Sequence, residues 1–279
     1  MWKQKFALGT NGQFGRTKSE QLPLFKAAGF DGFFTSWNRD TDLKALAAQA
    51  RELELEFQAV HAPFHACDHL WETPGQQGQD ALQELVECLR DSAEAGTDLV
   101  VAHAYIGFIN HTPSQLGIDR YGVLVEEARR LGLRLALENT EGEEYLEALM
   151  NAFAQESHVG FCWDSGHEMC YNHSQDMLAK YGHRLFGTHL NDNLGIRRFD
   201  GEIFWTDDLH LLPFDGIADW QGIAQRLDRC NFRDILTFEL NLLSKPDRHE
   251  NDKYGAMSLE QYLAEVYIRA CRLAAMRQR

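Results

Sequence analysis

Short apolar runs alternate with amphipathic stretches from one end of this chain to the other. The apolar runs at 5–9, 32–36, 56–61, 99–103, 134–138, 159–164, 185–190 and 234–239 predict strands. The segments at 19–28, 42–53, 79–95, 119–131, 143–154, 174–181, 217–229 and 258–276 predict helices. In 79–95, for example, Leu82, Leu85, Val86 and Leu89 share one helical face. Glycine follows a helix at Ala28-Gly29, Ala95-Gly96, Leu131-Gly132 and Tyr181-Gly182. Each of these glycines is expected in the left-handed conformation of a C-cap.

Regular alternation of strand and helix predicts a parallel sheet joined by right-handed crossovers. Eight such units predict an α/β fold, a single (β/α)8 TIM barrel occupying residues 1–279 as one domain. An open doubly wound sheet would carry a G-x-G-x-x-G turn after its first strand, and this sequence has none. The longest irregular stretch, 191–216, follows strand seven; so long a loop in a compact domain is usually functional.

Composition narrows the function. Forty-two acidic against 27 basic side chains give a formal charge of −15, which argues against nucleic acid and anionic membranes as partners. The longest basic runs are the pairs Arg129-Arg130 and Arg197-Arg198. Six scattered cysteines without a C-x-x-C pair read as reduced, apolar residues of a cytoplasmic protein. The N-terminal residues lack a signal-peptide apolar region, and no apolar run approaches the ~18 residues of a membrane span.

In barrels of this kind, chemistry sits where the strands end. Strand three ends in His61 (VHAPF), strand four in His103 (VAHAY) and strand five in Glu138 (ALENT). Strand six ends in Asp164, with His167 one turn on (WDSGH); strand seven ends in His189 (GTHLNDN) and strand eight in Glu239 (TFEL). A single histidine or glutamate at a strand end is ordinarily a hydrogen-bonded rim residue. Six in succession would crowd carboxylates at one mouth, and a bound cation relieves that repulsion. Imidazole with carboxylate suits zinc, manganese or cobalt better than calcium. In the long loop, Asp208 and His210 point to one side of an extended segment.

These motifs resemble the xylose-isomerase-like barrels, a superfamily of sugar and sugar-phosphate isomerases and epimerases that also includes the endonuclease IV-type apurinic endonucleases. The resemblance covers essentially the whole chain. It implies one divalent ion (Mn2+, Zn2+ or Co2+) held by Glu138, Asp164, His189 and Glu239, with His167 contacting substrate. His61, His103, His167, Asp208 and His210 match extra metal positions of the endonuclease branch, so two or three ions could be held. The sequence departs from the epimerase pattern after His189: Asp192 stands at the expected acidic position, but Gly195 replaces the arginine and Arg197 lies two residues further on.

The expected reaction is isomerisation or epimerisation of a small sugar or sugar phosphate. The metal polarises the carbonyl; Glu138 and Glu239 flank the substrate and move its proton, and His167 orients a hydroxyl. Trp37, Phe64, Tyr105, Phe108, Trp163 and Trp205 are candidate rim aromatics, and Arg197, Arg198, Lys245 and Arg248 candidate phosphate ligands. His65 and His69 read as loop residues, not ligands. The alternatives are an endonuclease IV-like zinc phosphodiesterase and a metal-binding subunit of a larger enzyme complex. The resemblance further implies a homo-oligomer, dimer or tetramer.

Overall fold

The computed structural model describes residues 3–72, 74–109, 112–198 and 200–278. Its eight strands are β1 (Phe6–Gly9), β2 (Gly32–Ser36), β3 (Glu56–His61), β4 (Leu99–His103), β5 (Arg134–Glu138), β6 (Val159–Asp164), β7 (Leu185–His189) and β8 (Leu236–Phe238). They pair in parallel in the order β7-β6-β5-β4-β3-β2-β1-β8. The ring closes through a parallel bridge between Leu190 and Phe238, with Leu190 N donating to Thr237 O at 2.8 Å. This is the (β/α)8 barrel that the alternating pattern predicts.

Among the described residues ten α-helices surround it: α1 (Lys18–Ala28), α2 (Leu43–Glu52), α3 (His69–Glu72), α4 (Gln76–Ala95), α5 (Gln115–Leu131), α6 (Glu143–Ala152), α7 (Ser165–Cys170), α8 (Met177–Tyr181), α9 (Trp220–Arg229) and α10 (Leu259–Met276). The short helices α3 and α7 were not expected from the sequence, and α3 places His69 on a helix where a loop was expected. Side-chain caps start many of the others. Thr17 and Glu20 form a reciprocal capping box at α1, and Ser258 and Gln261 another at α10.

Gly29, Gly96 and Gly132 take the expected left-handed conformation, with φ of 105°, 83° and 73°. Gly182 does not: its φ is −61° as it enters a 3₁₀ turn. Glycine is needed there for space, because a Cβ would lie 2.3 Å from Cys230 Sγ.

Strand alternation sorts the side chains into two layers. Phe33, Val60, Val100, Leu135, Phe161 and Leu236 pack outward in the large core shared with the helices. Phe34, Ala59, Val101, Ala136 and Cys162 form a second, smaller core within the barrel. With a period of two, the next inward positions are His61, His103, Glu138 and Asp164. The packing of the barrel interior therefore aims the strand-end polar groups at one mouth. Among the described residues no helix is long and apolar enough to cross a membrane.

Candidate metal centre

Glu138, wholly buried at the end of β5, is the hub of the mouth. Its Oε1 lies 3.0 Å from His189 Nδ1, and its Oε2 3.1 Å from His61 Nε2 and 3.6 Å from His103 Nε2. Glu239 lies just past β8, and its Oε2 is 2.9 Å from the same His189 Nδ1. Phe34 stacks beneath the His189 ring at a centroid distance of 4.6 Å. On the other side, His167 Nε2 is 3.5 Å from Asp208 Oδ1, and His210 Nε2 is 3.0 Å from the same oxygen.

Eight side chains thus fall into three groups, each with donor atoms within 4.8 Å of one another: His61, His103 and Glu138; Asp164, His167 and His210; and Glu138, Asp164, His189 and Glu239. Asp208 joins them through His167 and His210, so of the candidate catalytic and metal residues named from the sequence only Arg197 lies apart. Its Nε pairs with Asp207 at 2.7 Å and its guanidinium lies over Phe204, outside the residues lining the cavity.

The imidazoles are oriented by backbone. Nδ1 of His61, His167 and His210 meets the carbonyls of Ala62, Asn139 and Glu239 at 2.8, 2.9 and 3.1 Å. In the neutral ring that nitrogen must donate, leaving Nε2 with a lone pair for a metal. His103 differs: its buried Nδ1 has no hydrogen-bond partner. Burial pushes its pKa down to about 3, so the ring is neutral, the ligating form.

Charge in the cluster is balanced by protons. Burial works against ionised carboxylates here, yet His189, His61 and His103 hold Glu138 well below the usual range. Likewise His210 and His167 hold Asp208 well below it, and His189 holds Glu239 near about 2. Asp164 is pushed up by burial to about 6. Burial would lower His210, but Asp208 raises it to about 9; His167 is raised well above its ordinary value against burial by Asp164 and Asp208. Converging imidazole nitrogens and carboxylate oxygens, charged as they are, fit a divalent transition metal in place of those protons.

Asparagines hold the ligands, and sequence reasoning missed them. Asn139 accepts from Asp164 N at 2.8 Å and donates to its carbonyl at 2.9 Å. Asn191 donates to Asp164 Oδ2 at 2.8 Å, while Asp164 Oδ1 caps α7 through His167 N at 2.7 Å. Their only signal was adjacency to ligands in ALENT and GTHLNDN. Asp192 has a structural task. Wholly buried, it accepts from Asn193 N, Phe214 N, Ala218 N and Trp220 Nε1 at 2.8–3.0 Å, clasping the long loop.

A cavity of about 290 Å³ opens above the cluster, lined by His61, His103, His167, His210 and Glu239 among others. Phe64 stacks on His103 and Trp205 stands at its edge. Trp37, Tyr105 and Trp163 are buried in packing instead; Trp163 Nε1 donates to Glu168 and Trp37 Nε1 to Asp91. Of the four basic residues, Lys245 alone lines the cavity, 3.9 Å from Asp208 Oδ2. Arg198 pairs with Asp200 and Glu202, and Arg248 with Asp207 and Glu250.

A family model described as Xylose isomerase-like TIM barrel matches residues 22–261. Uncharacterized protein y4fM of Sinorhizobium fredii (strain NBRC 101917 / NGR234) is 33% identical over 141 residues, 48% of this chain and 42% of that protein. Among solved structures, a xylose isomerase-like TIM barrel/4-hydroxyphenylpyruvate dioxygenase fusion protein superposes with a TM-score of 0.68 at 20% identity, over 99% of this chain and 45% of that one. The chain thus spans less than half the length of either. IOLI protein, in a crystal structure with a zinc atom, gives 0.75 at 17% identity over 96% and 98% of the two chains. D-psicose 3-epimerase with D-tagatose, from Clostridium cellulolyticum H10, gives 0.72 at 13% identity over 98% and 99%. At these identities the structures share the fold.

Proposed function

The chain belongs to the xylose isomerase-like TIM barrel family, and from that premise we propose that it is a divalent-metal-dependent sugar isomerase or epimerase. The observation that carries this reading is the group Glu138, Asp164, His189 and Glu239, whose donor atoms converge within 4.8 Å below a cavity of sugar-accepting size. The likeness to an epimerase bound to D-tagatose supports the same class of substrate.

These four residues would hold the ion, which when bound supplies a Lewis acid that polarises a carbonyl and stabilises negative charge beside it. Glu239 lines the cavity and is the carboxylate that meets the substrate carbon and takes its proton. Glu138 sits one layer deeper, held by His61 and His189; its part is to bind the ion and, through His189, to set the charge at Glu239. His167 lines the cavity as a proton carrier between Asp164 and Asp208, and returns a proton or holds a substrate hydroxyl. The neighbouring rings of Phe64 and Trp205 supply apolar faces for C–H groups and limit water.

Protein stripped with chelator should lose the interconversion of its keto-sugar partners, followed by NMR, and regain it with manganese, cobalt or zinc. Interconversion that survives stripping contradicts the reading.

A second reading has its own support. The groups His61–His103–Glu138 and Asp164–His167–His210 exceed what one ion needs. One dication leaves the four carboxylates in excess, a site for neutral sugar; three leave positive charge in excess, a site for a phosphodiester. The overall charge of −15 weighs against a nucleic-acid substrate.

A further inference from the structure

A second cavity of about 550 Å³ adjoins the first and shares two wall residues with it, Glu141 and Tyr171. The first alone, about 290 Å³, sits at the bottom of the roughly 300–1,000 Å³ common for small-molecule sites. The two are joined by a run of rings: His167 and Tyr171 are 5.1 Å apart between centroids, and Tyr171 and Phe108 5.9 Å.

Tyr171 is nine-tenths buried, yet its hydroxyl makes no hydrogen bond to any described residue. Tyr171 lines both cavities, and its hydroxyl is not among the wholly buried unpartnered atoms, so it stays accessible to a ligand there. Glu141, also buried, accepts from Gly107 N at 3.0 Å at the same junction. The described lining of the second cavity carries four glutamates (Glu141, Glu143, Glu144 and Glu202), Asn172, Gln175 and one histidine, His173, but no lysine or arginine. Two of those glutamates are already fixed, Glu143 by Lys180 and Glu202 by Arg198 at 2.6 Å. Such a wall repels phosphate and carboxylate groups, accepts hydrogen bonds from hydroxyls, and offers the half-exposed face of Phe108 to a sugar ring.

We propose that the second cavity holds the neutral second sugar unit of a disaccharide or glycoside whose first unit lies over the metal centre, with the Tyr171 hydroxyl hydrogen-bonded to it at the junction. This rests on the sugar reading of the first cavity. The substrate is then a two-unit saccharide rather than a free or phosphorylated monosaccharide.

The test is calorimetric binding of D-fructose and D-glucose, and of maltulose, isomaltulose and maltose, to the metal-loaded protein. Wild type, Gln175→Trp (filling the second cavity) and Tyr171→Phe would be compared, with the fold checked by circular dichroism. At least one disaccharide should bind tenfold or more tightly than either monosaccharide, and both variants should erase most of that advantage. Equal affinity for one and two units, or an advantage that survives Gln175→Trp, overturns this inference and leaves the sugar reading standing. Binding of no saccharide, together with hydrolysis of bis-p-nitrophenyl phosphate, overturns the sugar reading and the inference with it.

Discussion

Glu138 and Glu239 reach the same atom: His189 Nδ1 lies 3.0 Å from one carboxylate and 2.9 Å from the other. Glu138 is closed off beneath the cavity, whereas Glu239 lines it. The two glutamates are therefore equivalent in charge and unequal in access, and their substitutions should separate. Glu239→Gln should lower kcat by about 10²–10⁴ and cost less metal than Glu138→Gln does. Glu138→Gln removes a carboxylate shared by two ligand groups and should lose metal first. Metal content and turnover measured on the same preparations check this; equal metal loss in both would contradict it.

Metal binding should tighten as pH rises. His210 is raised to about 9 because Asp208 outweighs burial, and His167 and His189 are raised as well. A raised histidine keeps its proton through neutral pH, and an incoming ion must displace it. Calorimetry in buffers of different ionisation enthalpy should show net proton release at pH 7, shrinking above about pH 9. Proton-neutral binding at pH 7 would rule the network out.

Gly166→Ala tests the asparagine support. A Cβ at this position would lie 1.9 Å from Asn191 Oδ1, and Asn191 is the residue that holds Asp164 Oδ2. The substitution should cost about 1–3 kcal/mol in urea unfolding and weaken metal affinity, although residue 166 ligates nothing. Unchanged affinity would show that the Asn191 contact is dispensable.

Asp192→Ala leaves four donors without their acceptor. Each buried orphan costs about 1–3 kcal/mol if water does not replace the carboxylate. Hydrogen exchange should quicken at the amides of Phe214 and Ala218 and spare β5. Uniform quickening across the barrel would mean that the loop is not a separate unit.

The barrel was legible because its signal is repeated: eight apolar runs, each with its own crossover helix, are hard to mistake for another architecture. The cluster was legible for a related reason, since strand parity places His61, His103, Glu138 and Asp164 inward once Ala59, Val101, Ala136 and Cys162 are inward. What escaped was whatever depends on three dimensions at close range. Gly182 looked like a C-cap and is a site of close approach to Cys230. Trp37 and Trp163 stood near strand ends in sequence but face the helices. Tyr171 and Glu141 carried no motif, and only the shape of the mouth places them between two cavities.

Solvent deuterium incorporation measures the central claim most directly. Metal-loaded protein in D2O with its keto-sugar substrate should place deuterium on the carbon beside the carbonyl, and both Glu239→Gln and chelator should abolish the exchange. Absence of exchange across a keto-sugar panel, from a preparation that hydrolyses a phosphodiester, would contradict the account.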